Sequence, residues 1–293
     1  MKFRQRGVAL VLVLWVISLL AVIAGNFAYS MRGESQITRN LVSKAQAKAL
    51  ADAGIQRAWY ELLRPSTDNT RWKADGNLHE LQFQVGSVVV LVQDESGKID
   101  INNASDALLK GLFKSVGMGD DASEALVDAI VDWRDADTSR RPHGAEESEY
   151  RVAGKSYVPT NAPFETNSEL QRVLGMTPEL YRAVAPSVTV YSKAAGIDVK
   201  AAPRSVLLAV PGVTAAMIDQ FLEQKSTAVG AEQGLPPWAT GVFSGGGGNT
   251  AYMVRSTATM PDGVTFVRWS VVRVTTDPRR PVIVLAWGEG DTE

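Results

Sequence analysis

The sequence predicts an α+β protein: a very long N-terminal helix, an antiparallel sheet laid against it, and a large all-helical domain inserted between strands. Three observations carry that prediction. An apolar run from Val8 passes without a turn into an amphipathic helical pattern that ends only at Pro65. β-branched and aromatic runs occur near residue 90 and again after residue 250. Between them lie capped, helix-patterned segments.

The chain has 293 residues, 45% hydrophobic, with a net charge of -2. That length suits one large domain or two modest ones. The near-neutral charge argues against a general nucleic-acid binder. There is no Cys, which excludes disulfides, thiolate metal sites and cysteine catalysis. His79 and His143 show no ligand or triad spacing.

Residues Val8 to Ala24 are apolar except Ser18, and the run extends to Tyr29 with Asn26 as its one strongly polar interruption. A helix of about 20 such residues spans a hydrocarbon core of about 30 Å. Lys2, Arg4 and Arg6 precede it, which places the N-terminus in the cytoplasm and the remainder across the membrane. Val22-Ile23-Ala24 also fits a cleavable secretory signal that would leave Gly25 as the new terminus. The continuation separates the two readings. Ile37, Leu41, Ala45, Ala49, Ile55, Trp59 and Leu62 recur mostly at helical spacing, with Arg39, Lys44, Lys48, Asp52 and Arg57 between them. A helix over Val8 to Leu63 would be roughly 80 Å long, with Gly25 and Gly33 as weak points. A discarded signal has no need of such an extension.

Leu81–Val85 and Val88–Val92 read as two strands with Gly86-Ser87 as their turn, and residues 94–105 as a turn and a third strand. From about residue 104 to 195 the pattern is helical, with N-cap candidates at Ser105, at Asp121 or Ser123, and at Asn167 or Ser168. Residues 99–112 and 197–210 share a strand, a polar turn and an apolar helix start. Three strands close the chain, near residues 250–260, 263–275 and 280–289, and Gly245–Gly248 reads as a surface loop before them.

Asp128, Asp132 and Asp135 fall at spacings of four and three, on one helix face, and Asp137, Glu146, Glu147 and Glu149 follow. Carboxylates at a helix C-terminus oppose its dipole. Either Arg134, Arg140 and Arg141 neutralise them on a solvated face, or a cation does. Oxygen ligands without His or Cys suit Ca²⁺. No nucleophile motif accompanies these acids, and no enzyme activity is expected. Residues 207–219 and 172–181 resemble helix-hairpin-helix elements, but the second helix of the first offers Thr214, Asp219 and Glu223 where phosphate binding usually brings Lys or Arg. They are read as packing elements, with no nucleic-acid partner.

The short basic leader ending in Gly7, followed by an apolar and then an amphipathic helix, resembles the type IV pilin and pseudopilin N-terminus. The resemblance implies cleavage by a prepilin peptidase between Gly7 and Val8 and methylation of the Val8 amine. It also implies a retained helix that anchors the subunit and later enters a filament. Most pilins carry Glu at the fifth position after the cut; here it is Leu12. A carboxylate inside the bilayer costs roughly 2.5–3.5 kcal/mol. A subunit with none above it lacks a neighbour's amine to neutralise it, so Leu12 suits a filament tip. That departure, with the helical insertion and the Asp132-Trp133-Arg134-Asp135-Ala136-Asp137 segment, is similar to the K-type minor pseudopilin of type II secretion. Gly144-Ala145-Glu146-Glu147, Tyr150 and Asn161-Ala162-Pro163-Phe164 add to the likeness.

The likeness implies structural Ca²⁺ at Asp135, Asp137, Glu147, Glu146 and Asn161. It implies I- and J-type minor pseudopilins as partners in the tip complex, the prepilin peptidase, and the major pseudopilin filament. It places the chain as a single span in the inner membrane, with a cytoplasmic N-terminus and a periplasmic soluble domain. The expected organisation is a leader (1–7), a transmembrane and filament-core helix (8–29), a pilin-like part (30–103), a helical insertion (104–195) and the rest of the pilin-like part (196–293). The alternatives are a minor pilin of a type IV pilus, serving adhesion or DNA uptake, and a signal-anchored periplasmic enzyme.

Overall fold

A computed structural model describes residues 8–65, 67–68, 70–227, 234–239 and 250–290. Helix α1 runs from Val8 to Leu63, helical through Gly25 and Gly33. Its second half carries small and apolar residues at helical spacing, and these residues (Ala47, Leu50, Ala51, Ile55, Ala58 and Leu62) are buried. They pack on a sheet built from β1 (Asp75–Phe83), β2 (Gly86–Asp94), β5 (Ala251–Thr259), β6 (Thr265–Val274) and β7 (Val282–Glu289). The five strands are antiparallel, in the order β1-β2-β5-β6-β7. The three closing strands fall where alternation predicts them. The loop at Gly245–Gly248 lies outside the described residues.

Gly54 lets helix and sheet meet. A Cβ there would lie 2.2 Å from Ser256 Oγ and 2.8 Å from Val88 Cγ1. Above it, the buried Glu61 carboxylate accepts from Arg57 Nη2 (2.6 Å), Arg64 Nη1 (2.8 Å) and the Trp72 N–H (3.2 Å). Burial alone would raise its pKa, but Arg64, the Trp72 N–H and Arg57 outweigh that and hold it below the usual carboxylate range. This ties the top of α1 to the loop that enters β1.

The β1–β2 turn is Gln84-Val85 rather than Gly86-Ser87, because Phe83 pairs with Gly86. Gly86 is instead the first residue of β2, where a Cβ would sit 2.6 Å from the Thr259 carbonyl oxygen. The glycine serves a close strand approach, a need that the local turn pattern does not reveal.

The expected third strand of the main sheet does not join it. After β2 the chain turns on Asp94, whose Oδ1 accepts from the Ser96 N–H at 2.8 Å, and leaves the sheet. β3 is only Ile99–Asp100 and pairs in parallel with β4 (Val188–Thr189). Around this short pair fold α2 (Asp106–Ser115), α3 (Asp120–Arg134), α4 (Glu147–Val152), α5 (Pro178–Val184), α6 (Arg204–Leu207) and α7 (Ala215–Thr227). Ser105 caps α2 as expected. Gly119, not Asp121 or Ser123, precedes α3. The segment read as one helix from residue 167 is a 3-10 turn, Asn167–Arg172, followed by α5 with Thr177 as its cap. Gly175, at φ +92°, separates the two. The helical core continues through Ile197, Val206, Ile218 and Phe221 to Ala239. A division at 195/196 therefore runs through one core; the excursion spans β2 to β5, two neighbouring strands.

The direction of β2 places this domain. Its start lies beside Leu50, and Val88 and Val90 lie beside Gly54 further up α1. Asp94, where the chain departs, is thus at the end of the sheet far from the apolar half of α1.

Candidate functional site

Two features stand apart from the packed cores. The first is the bare half of α1. Leu10, Leu14, Trp15, Leu19, Leu20 and Phe27 are each more than half exposed, and Leu12 is 61% exposed. The mean hydropathy of its most apolar 18-residue window is 2.5, with nothing in the fold covering it. The helix is long and apolar enough to cross a membrane. Gly7 lies outside the described residues; Val8 opens the helix.

The second is the acidic crevice after α3. Sequence spacing put Asp128, Asp132 and Asp135 on one helix face. Asp135 is instead the C-cap, with ψ 162°, and has left the helix. Asp128 and Asp132 hold the following loop: each Asp132 oxygen accepts from the Arg141 N–H at 3.2 Å, and Asp128 accepts from the His143 N–H at 3.1 Å. Gly144 is required there, since a Cβ would come within 2.0 Å of Asp132 Oδ2. Beneath, Trp133 stacks on Phe164 at 6.0 Å and packs beside Tyr150 at 5.9 Å. Arg134 turns away from the acids and donates to the carbonyls of Ile101 and Ala104.

The loop folds over this floor, sets Asn161 on the Asp137 carbonyl and leaves Asp135 and Asp137 near enough to Glu146 to act on it electrostatically. Asn161, in the left-handed region at φ 49°, donates through Nδ2 to the Asp137 carbonyl at 2.7 Å. Three buried oxygens then have no hydrogen-bond partner: Asp135 Oδ1, Glu146 Oε1 and Asn161 Oδ1. Burial raises the Glu146 pKa, and Asp132, Asp135, Asp137 and Glu149 push it further up. Burial and then Asp137 raise that of Asp135. The fifth expected ligand, Glu147, opens α4 and pairs with Arg151 at the surface, although it lines the same crevice of about 390 Å³ as Glu146 and Asn161. Asp137 Oδ1 is engaged by the Ser139 N–H at 2.7 Å. Among the described residues no three carboxylates and imidazoles are set with ligand geometry. The donor set is two carboxylates and an amide oxygen, three orphaned acceptors facing no donor. Such groups fit a hard cation. Sequence reasoning missed the supporting role of Asp132, because only the return of Arg141 and Gly144 onto α3 defines it.

A helix long enough to cross a membrane that continues into a five-stranded antiparallel sheet, with a helical domain inserted between adjacent strands, is a pilin-like architecture. A family model described as "Type II secretion system (T2SS), protein K", first domain, matches residues 76–193. Type II secretion system protein K of Pseudomonas aeruginosa is 27% identical over 75% of this chain and 73% of its own length. That of Aeromonas hydrophila is 28% identical over 63% of each chain. The putative protein K of Escherichia coli K12 is 26% identical over 65% of this chain and 64% of its own. The chain thus spans slightly less than two thirds of the second and third relatives. A chain from the crystal structure of the GspK–GspI–GspJ complex of enterotoxigenic Escherichia coli shares the fold, with TM-score 0.62, 17% identity, and coverage of 87% of this chain and 99% of that one. The chain is thus similar to type II secretion system protein K over residues 76–193 and shares its fold.

Proposed function

We propose that this protein is the K-type minor pseudopilin of a type II secretion system. It acts in the assembly of a membrane-extracted filament and has no catalytic role. The observation that supports this most is the division of α1, whose upper half builds the sheet's core while its lower half is bare apolar helix. The bare half holds the subunit in the inner membrane with the soluble domain in the periplasm. Cleavage after Gly7 and methylation of Val8 mature it. Its structural neighbour was crystallised in complex with GspI and GspJ. By analogy this chain joins I- and J-type subunits, and with them initiates and caps the filament of major pseudopilin.

Two features favour the tip. The helical domain lies at the end of the sheet away from the membrane and obstructs stacking of a further subunit. Leu12 supplies no carboxylate that a subunit above would have to neutralise. Asp135, Glu146 and Asn161 would hold Ca²⁺, with the Asp137 carbonyl and the crevice-lining Glu147 nearby; the ion would supply charge compensation that pins the loop from Asp135 to Asn161 onto α3.

Mass spectrometry of the chain extracted from membranes tests the reading: the expected mass lacks residues 1–7 and carries one added methyl group on Val8. A mature terminus at Gly25 refutes it. Leu12→Glu tests the tip position. A carboxylate without a neutralising neighbour costs roughly 2.5–3.5 kcal/mol in the bilayer, and secretion is expected to fall at least tenfold. Unchanged secretion removes the tip argument.

A further inference from the structure

The two edges of the sheet differ. β1 carries Asp75, Asn77, Glu80 and Gln82, and its register shifts between Asp75 and Leu78. Polar side chains and bulges are the usual guards against strand addition. β7 also has a register shift, with Leu285 skipped between Val284 and Ala286, but it carries no polar side chain from Val282 to Trp287. Among the described residues it pairs only with β6, and Ile283, Val284 and Trp287 are 42%, 47% and 42% exposed. α1 lies over β2, β5 and β6 and meets β7 at Trp287 and Glu289. Trp269 lies against Gly288, where a Cβ would fall 2.4 Å from its ring, so the far face at that position is flat and apolar.

From this apolar edge we infer that β7 takes an extended segment of a different subunit as a sixth strand; the inference rests on the proposed role in a multi-subunit tip.

The geometry selects among occupants. Lys48 meets Glu289 at 3.1 Å, and Trp59, further along α1, meets Trp287, so α1 and β7 run in opposite senses. Two copies joined by antiparallel β7 strands would point their α1 helices in opposite directions, which one membrane cannot accommodate. Joining them in parallel would set Arg279-Arg280 of one copy beside the same pair in the other, and like charges placed so repel. Among the described residues no carboxylate pairs with either arginine, both of which are exposed, whereas Glu289 is engaged by Lys48 and Arg268. The occupant is therefore a segment of another chain, apolar along its length, with a carboxylate at the end that meets Arg279 and Arg280. Backbone hydrogen bonds along β7 supply affinity, and those charges supply register.

The test co-expresses the full chain with the I- and J-type subunits of its system and measures the partners retained after extraction in mild detergent. Val284→Lys is expected to lower retention at least tenfold, and the paired change Arg279→Glu with Arg280→Glu, outside the strand and safe for folding, to lower it severalfold. Leu78→Lys, at an exposed position on β1, is expected to change nothing. If both β7-side variants retain partners as the parent does, the edge proposal fails while the tip role stands. If the parent itself retains neither partner, both fail. The chain has no Cys, so Ile283→Cys reports self-association cleanly: a disulfide-linked pair of this chain in membranes overturns the inference in favour of a second copy.

Discussion

Gly111→Ala lowers the thermal midpoint of the helical domain by about 6–10 °C, followed by circular dichroism of the full chain in detergent. Gly111 lies inside α2, where alanine ordinarily stabilises a helix by about 1 kcal/mol. Here the new methyl would sit 1.9 Å from the Ala209 carbonyl oxygen and 2.9 Å from its carbonyl carbon. Those atoms are backbone just after α6 and cannot rotate aside. α2 must move off the core that Leu108, Leu109, Leu112 and Phe113 form. Overpacking of this kind costs about 3 kcal/mol, and a domain of this size loses about 2–4 °C for each kcal/mol. Gly33→Ala is the control. It also lies in a helix, but no atom comes within 4 Å of its added Cβ, and its midpoint is expected to match the parent. Equal midpoints for both variants would show that α2 and the Ala209 segment do not approach as described.

Removing divalent cations with EGTA has the second largest expected effect. Glu146 is buried and Asp135 half-buried, each has one buried oxygen without a partner, and both have raised pKa values. An acid whose folded pKa lies above its unfolded value destabilises the fold once pH rises past the unfolded pKa. At neutral pH these two groups therefore oppose folding unless a cation neutralises them. Calcium at a hundred times its dissociation constant would contribute about 2.7 kcal/mol, so EGTA is expected to lower the midpoint by about 5–10 °C, and added calcium to restore it. Glu146→Gln removes one charge and should shrink the calcium increment by at least half, while Glu147→Gln, paired with Arg151 at the surface, should leave most of it. The increment should also vanish below about pH 4, where carboxylates protonate and release the ion. An EGTA-insensitive midpoint at pH 7 would rule the ion out.

Particular residues show how far the sequence reaches. The apolar run from Val8 and the repeat from Ile37 to Leu62 define α1 to its last residue, because helical periodicity is local and Pro65 ends it. The strands after residue 250 are legible for the same reason. Asp135, Asp137, Glu146 and Asn161 stand in segments that resemble a family's; in the structure Asn161 donates to the Asp137 carbonyl, and Asp135, Glu146 and Asn161 each keep one buried oxygen without a partner. The same likeness puts Glu147 among them, whereas the structure pairs it with Arg151. Whether Glu147 turns into the crevice or out to Arg151 depends on the start of α4, a six-residue helix whose position follows from the packing of Tyr150 beside Trp133.

By itself the sequence determined the α1 stem, the presence of an antiparallel sheet and an inserted helical region, since each depends on side-chain pattern within one segment. Only the tertiary structure decided where the insertion leaves and returns, which glycines are indispensable, and which edge of the sheet is bare. Those are relations between segments far apart in the chain. Gly86 against Thr259, Gly111 against Ala209 and β7 at the sheet edge beside β6 are relations that no local pattern encodes, because they arise from how completed elements are stacked.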